Sequence, residues 1–473
     1  MYKDLLKHTI FYGLGIGLLR FLNFVLLPLY TRYFTPDDVG VLELLFILFT
    51  FLTTFLGFGM GSGIFKYLTS KGRNSNDQVT IISSTFWILT VVASIVLLIL
   101  NGCFNSINKI FFNSLLPRNI YRLLLIASFL QILSIIPTAL IRLEKKSVLF
   151  GGIQIFRFLI EFTIIISLVL IFSKNYGSVF VSKIIGGSFT LIILLLVTKG
   201  WIKFNFSIKK IRPLMFYSVF LMPAILSNNL INLSNRFFVK SYLSVKDVAL
   251  FSVGSRIPMI LSIIIMAFQY IWPVYLFKIQ KRSDAPIIYG EVFTYYTSII
   301  SFIALIIIFF SSDILTIMAT EKYLSAINVV KIISISFIFW GMFYSGTAGI
   351  HITGKTYFIT IIMISSAILN IILNQIFIPK FGINGAALST LASYILMGCG
   401  SVLISYCLYK IKFQWKKLIV ICITFVLVFT GSKIDVITVS LIVKIIAIIG
   451  IFLLWTLLKL FPFRWNHIKR VFV

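Results

Sequence analysis

Apolar residues fall in long, unbroken runs separated by short polar links rich in Lys and Arg. About 20 apolar residues at ~1.5 Å rise each cross a ~30 Å hydrocarbon core, so each run predicts one membrane-spanning helix. The pattern predicts about fourteen, over 9–30, 39–65, 79–100, 120–141, 148–172, 177–198, 212–233, 248–276, 290–311, 324–349, 356–378, 384–408, 416–431 and 438–460. A membrane β-barrel would instead show short alternating segments. The first run, TIFYGLGIGLLRFLNFVLLPLY, is read as a retained helix and not a cleaved signal peptide. Its apolar core is too long, and its polar exit, TRYFTPDD, offers no small-residue cleavage site.

Composition agrees: 59% of the residues are hydrophobic and 12% charged, against roughly 45–50% and 25% in soluble domains. The predicted fold class is an all-α polytopic membrane protein. The formal net charge of +29 would suggest nucleic acid on a soluble chain. Here the positive residues sit between apolar runs, where they set topology and meet anionic headgroups, so membrane lipids are expected partners and nucleic acid is not. Cys103, Cys399, Cys407 and Cys422 lie in or beside apolar runs without ligand spacing and are expected to pack as small apolar groups. His8, His351 and His467 are scattered. No metal and no cofactor is expected.

Orientation follows the short-loop cations. With the N-terminus inside, Lys66, Lys71, Arg73, Arg142, Lys145, Lys146, Lys199, Lys203, Lys209, Lys210 and Arg212 are cytoplasmic. So are Lys278, Lys281, Arg282, Lys410, Lys412, Lys416, Lys417, Arg464, Lys469 and Arg470, while the opposite loops carry fewer. Both termini are predicted to be cytoplasmic.

An internal repeat runs at a shift of 209: YFTPDDVGVL at 33–42 answers YLSVKDVALF at 242–251, and KSVLF at 146–150 answers KTYFI at 355–359. The same shift takes Arg20 to Asn229, Asn23 to Asn232 and Glu161 to Asn370. Six spans separate the copies, which predicts two six-helix lobes of like orientation, as in transporters built from parallel repeats. The expected organisation is a lobe at 1–205, a lobe at 206–412, and two further helices with a basic tail at 413–473.

Charges inside the spans need a reason, since an arginine at a helix centre costs roughly 2.5–3.5 kcal/mol on insertion scales. Arg20 sits mid-span without a carboxylate three or four residues away, so it either braces neighbouring carbonyls or forms an anion site in an interior cavity. Arg157 and Glu161 share a helix face, either as a self-neutralising pair or as a ligand arginine beside a proton site. Arg256 and Lys331 lie in the outer halves of their spans, where snorkelling to the interface competes with a buried role. Glu43 begins the second span and either caps its wet end or couples an ion. GIHITGKT at 349–356 matches the phosphate-loop pattern by letter, but it joins two membrane helices instead of following a strand, so it reads as coincidence with Lys355 as a surface charge. GFGMGSG at 57–63 reads as a packing or bending surface, and Pro223, Pro258 and Pro273 as bends.

The first span followed by RYFTPDDVGVLELLF at 32–46 resembles the opening of bacterial polysaccharide-export flippases. So do NLSNRFFVKSYLSVKDVALFSVGSRI at 232–257 and LNIILNQIFIPKFGINGAALST at 369–390. That family belongs to the multidrug/oligosaccharidyl-lipid/polysaccharide superfamily. The resemblance implies two six-helix lobes rocking between inward- and outward-open states in the bacterial cytoplasmic (inner) membrane. It implies an undecaprenyl-diphosphate-linked oligosaccharide as substrate, a place in O-antigen or capsule assembly, and the pathway's glycan polymerase and chain-length regulator as partners. The family often carries Asp-Arg where this chain has Asn235-Arg236, so only Arg236 is carried over.

The resulting expectation is a flippase and not an enzyme. Arg20 and Arg157 would neutralise the diphosphate, because a guanidinium forks onto phosphate oxygens, and Arg236 and Arg256 would be further substrate-binding residues of the cavity. Asn23, Asn229 and Asn232 would hydrogen-bond sugar hydroxyls, and Glu161 or Glu43 would couple an ion or proton. A drug/cation antiporter of the same superfamily is the main alternative, although it needs membrane acids and these charges lean basic. A peptidoglycan-precursor flippase shares the fold. A glycan polymerase or ligase would carry a long polar external loop, and the longest outer connection runs only from about Asn101 to Asn119.

Overall fold

The computed structural model describes residues 24–69, 75–144, 146–171, 175–431 and 441–461. Among them are ten helices long and apolar enough to cross a membrane. Residues 212–233, a further predicted span, lie within a 35-residue helix, and the last two predicted spans appear as helices of 17 residues each. The first predicted run, 9–30, falls mostly outside the described residues. No strand occurs among the described residues. Helices satisfy every backbone donor and acceptor within one segment, which hydrocarbon demands.

The chain divides into two compact units, 1–237 and 238–473. The first holds α1 (Leu27–Tyr33), α2 (Pro36–Leu56), α3 (Met60–Thr69), α4 (Ser75–Gly102), α5 (Phe104–Phe112), α6 (Arg118–Leu133), α7 (Ile135–Leu143), α8 (Ser147–Ile171) and α9 (Gly177–Thr198). Helix α10 (Ile208–Tyr242) crosses the boundary. The second unit holds α11 (Val245–Arg256), α12 (Ile260–Ile279), α13 (Ala285–Phe309), α14 (Ser311–Ala319), a 3₁₀ turn (Glu321–Ala326), α15 (Ile327–Gly346), α16 (Ala348–Ile352), α17 (Tyr357–Phe381), α18 (Ile383–Tyr409), α19 (Trp415–Gly431) and α20 (Leu441–Leu457).

The repeat read from the sequence is a repeat of elements. Pro36 and Val245 begin helices 209 positions apart, as do Arg118 and Ile327, while Tyr33 and Tyr242 end them at the same interval. Each copy opens with the same capping box. Thr35 Oγ1 accepts from Asp38 N (3.2 Å) and Ser244 Oγ from Asp247 N (3.2 Å), while each aspartate accepts from the cap residue's own N–H. A threonine or serine followed by an aspartate three residues later satisfies two orphan donors at a helix start.

In the first unit an apolar cluster of Met60, Ile64, Ile82, Phe86, Leu140 and Leu214 joins α3, α4, α7 and α10. The glycine run at 57–63 breaks the helix between α2 and α3, with Phe58 and Gly59 at positive φ (47° and 65°). Gly63 lies where any Cβ would collide with the Ser218 hydroxyl, which explains a glycine there. Asn108 holds the turn before α6 by donating to Leu116 O (3.0 Å) and accepting from Leu116 N (3.1 Å). The Tyr121 hydroxyl ties α6 back to α4 by donating to Leu100 O (3.0 Å).

In the second unit α15 packs along α18 through small residues. A Cβ on Gly398 would meet Phe339 O at 2.7 Å, and one on Gly346 would meet Ser401 Oγ at 2.6 Å. Close backbone approach of this kind drives helix association where lipid removes the hydrophobic incentive. GIHITGKT begins inside α16 and runs into the turn before α17, with a helix and no strand ahead of it, so the phosphate-loop mechanism has no scaffold. Its first glycine has a packing role, because a Cβ on Gly349 would meet Ser405 O at 2.6 Å. Pro258 marks the break between α11 and α12. All four cysteines are exposed on the surface of the chain.

Gly398→Ala is expected to destabilise the detergent-solubilised protein by about 1–3 kcal/mol, because it meets a carbonyl oxygen that has no room to move. Gly400→Ala, on the same helix with its nearest neighbour at 3.7 Å, is expected to melt with the parent. Equal melting shifts for the two variants would refute this account of the α15–α18 contact.

Candidate functional site

The buried charges of the first unit gather around helix α2. The capping box and Pro36 fix where α2 starts, and from there Glu43, Phe46 and Phe49 recur every three residues along one helix face. Glu43 is 3% exposed, so it does not cap a wet helix end. Its Oε2 lies 3.4 Å from Arg236 Nε on α10. The acid that partners Arg236 is therefore supplied from 193 residues away, while the adjacent Asn235 is buried and uncharged.

One turn further along α2 the second group begins. Lys183 on α9 places its ammonium 5.6 Å from the ring centroids of both Phe46 and Phe49. This is cation–π range, and the two rings offer the cation a partly desolvated seat. Lys183 Nζ also lies 3.7 Å from Glu161 Oε2 on α8. The other carboxylate oxygen, Oε1, accepts from Arg157 Nε at 2.7 Å, and Arg157 Nη1 donates to Gln131 Oε1 on α6 at 2.9 Å. Two cations thus converge on one carboxylate that is only 1% exposed. Gly186 on α9 makes room for it, since a Cβ there would sit 2.7 Å from Glu161 Cγ.

A buried carboxylate survives only with charge partners and hydrogen bonds, and this one has both. The arrangement holds the Arg157 guanidinium in a fixed plane between an acid and an amide. Guanidinium N–H groups oriented in this way match the oxygens of a phosphate as well as those of a carboxylate. The chemistry available is exchange of anionic partners at a held cation.

Of the residues predicted from sequence, Arg157 and Glu161 are together, and Glu43 and Arg236 are together. Arg256, the last residue of α11, is 6% exposed, and Lys331 on α15 is also buried, so neither snorkels. Arg256 belongs to the second unit. Arg20 and Asn23 lie outside the described residues. Asn229 and Asn232 fall on α10, with side chains outside the description. Lys183 and Gln131 were not anticipated. Lys183 carried a legible signal, an ammonium inside the apolar run 177–198, whereas Gln131 is an ordinary polar residue until the fold sets it beside Arg157.

A family model for polysaccharide biosynthesis proteins matches residues 5–280. An uncharacterized membrane protein of Methanocaldococcus jannaschii is 32% identical over 120 residues, which is 25% of this chain and 24% of that protein. The matched stretch spans about a quarter of the length of this curated relative. Among solved structures, the lipid II flippase MurJ in an inward closed conformation superposes with a TM-score of 0.72 at 17% identity, covering 95% of this chain and 97% of that one. The Vibrio cholerae MATE transporter VcmN in its bent form gives 0.59 at 13% identity over 86% and 96% of the two chains. An inward-facing multidrug resistance MATE transporter of the MOP superfamily gives 0.66 at 12% over 84% and 94%. At these identities the likeness is one of fold: a multi-pass helical membrane architecture used by flippases and multidrug transporters. By its match over residues 5–280, this chain belongs to the polysaccharide biosynthesis protein family.

Proposed function

We propose that this protein is a flippase that carries undecaprenyl-diphosphate-linked oligosaccharide repeat units, of the O-antigen or capsule kind, across the bacterial cytoplasmic membrane by alternating access. The observation that carries the reading is the buried Arg157–Glu161 pair with the half-buried Lys183, connected along α2 to Arg236–Glu43. In this reading Glu161 is the resting partner of Arg157, and the substrate diphosphate takes its place during transit. Glu161, released from the arginine, remains beside Lys183 or accepts a proton, which links the exchange to ion or proton movement. Arg20, Asn23, Asn229, Asn232 and Arg256 extend the polar path for the head. Two six-helix lobes, residues 1–205 and 206–412, alternate between inward- and outward-open states, and residues 413–473 are an appendage. Both termini face the cytoplasm.

A drug/cation antiporter needs a carboxylate that trades a cationic drug for an ion. Glu43 and Glu161 are each already engaged by fixed cations, which favours an anionic cargo. The membership in a polysaccharide biosynthesis family supports the same choice.

Removing Glu161 alone as Glu161→Gln strands the buried Arg157 and takes the carboxylate from the half-buried Lys183, and is expected to cost about 3–5 kcal/mol of stability. The double variant Arg157→Gln/Glu161→Gln is expected to recover most of that stability while surface glycan stays at least tenfold below the parent. The measurements are melting in detergent, and glycan and lipid-linked intermediates in a deletion strain. Normal surface glycan from the double variant would make the pair purely structural and overturn the anion-exchange reading. In the same strain Arg20→Ala is expected to lose export at normal membrane abundance, and Lys355→Ala to retain it. Loss of export in Lys355→Ala together with ATP hydrolysis by the parent would revive the phosphate-loop reading.

A further inference from the structure

The repeat makes the two units comparable residue by residue, and one face differs between them. In the second unit, helices α13 and α15 enclose a cavity of about 290 Å³ whose far wall is α19, with Ile421 and Phe425 facing Ile335 and Ile338. In the first unit the corresponding helices are α4 and α6, and Ile126 and Phe129 stand 209 positions before Ile335 and Ile338. They line a groove of about 480 Å³, a size typical of small-molecule sites at ~300–1,000 Å³. Among the described residues no helix covers it. Leu98 and Ile126 on its walls are 70% and 48% exposed.

An open apolar face on a membrane protein is ordinarily wetted by lipid tails without selectivity. This groove has a polar mouth as well. Arg122 lines it and is exposed, and no carboxylate pairs with it among the described residues. Its counterpart in the second unit, Lys331, is buried. Asn101 also lines the groove, and its Oδ1 is buried without a hydrogen-bond partner among the described residues. A cation and an unsatisfied acceptor above an apolar slot call for an amphiphile with three properties. It needs a phosphate for the guanidinium, a hydroxyl donor for the amide oxygen, and an acyl chain for the slot.

We propose that the α4–α6 groove is a selective site for an anionic glycerophospholipid of the surrounding bilayer, with its phosphate on Arg122, its headgroup hydroxyl on Asn101 and one acyl chain against Leu98, Leu125, Ile126 and Phe129. The lipid occupies the face that α19 covers in the second unit. This inference stands independently of the transport substrate.

The test is native mass spectrometry of the full chain released from bilayers of equal phosphatidylglycerol and phosphatidylcholine. The parent is expected to retain phosphatidylglycerol at least fivefold over phosphatidylcholine. Arg122→Gln is expected to bring that ratio close to one. Ile126→Trp, which fills the slot and leaves the cation in place, is expected to lower total retained lipid. Lys109→Gln, an exposed cation on α5, is expected to leave the ratio unchanged. Equal retention of both lipids by the parent, or an unchanged ratio in Arg122→Gln, would overturn the site. So would displacement of phosphatidylglycerol by undecaprenyl phosphate in an Arg122-dependent way, or a dimer that buries the groove and carries no lipid.

Discussion

A charge placed in hydrocarbon must find its counter-charge inside the protein, and that constraint organises the first unit. Glu161 is reached by Arg157 from its own helix, by Lys183 from α9, and indirectly by Gln131 from α6 through the arginine. Satisfying one carboxylate therefore fixes three helices against one another. Helix α2 adds the aromatic faces that seat Lys183 and the acid that seats Arg236. The same contacts that make buried charge tolerable set the guanidinium in a defined orientation, so structural need and the proposed function draw on one set of side chains.

The second unit meets the membrane differently. Its repeat positions for Arg157 and Glu161 are Ser366 and Asn370, both buried and uncharged. Asn374 Nδ2 donates to Asn370 Oδ1 at 3.0 Å, so a neutral amide pair stands where the first unit has an ion pair. Cohesion there comes from small residues that let α15 and α18 approach closely. The chain's extra helices also serve this unit: Lys444 on α20 pairs with Asp313 on α14 at 2.6 Å, and α19 closes the cavity over α13 and α15. Duplication supplied two copies of one scaffold. Charge was concentrated in the first and additional helix in the second.

This asymmetry explains why a face that is covered in one copy is open in the other. The sequences of the copies differ at most positions, yet the interval of 209 still holds for the helix starts at Pro36 and Val245 and at Arg118 and Ile327, the helix ends at Tyr33 and Tyr242, and the capping boxes. The spacing of helix starts persists because each copy must still cross the same hydrocarbon thickness.

The sequence by itself determined the all-helical membrane fold, the repeat and its interval, most span positions and the Arg157–Glu161 pair. All of these are local or periodic: runs of apolar residues, a constant shift, two residues one helical turn apart. It also read the phosphate-loop match as coincidence, since the motif joins two membrane helices and follows no strand. Only the tertiary structure decided that Glu43 reaches Arg236 across 193 residues, that Lys183 completes the Glu161 group, and that Gln131 orients the arginine. The glycine run at 57–63 and Pro258 signalled bends, and the structure turned these into full breaks at 57–59 and 257–259. The physical reason is common to these cases. A charged side chain in an apolar run announces that it needs a partner, but the partner is set by how helices pack, and packing couples residues with no sequence interval to reveal them.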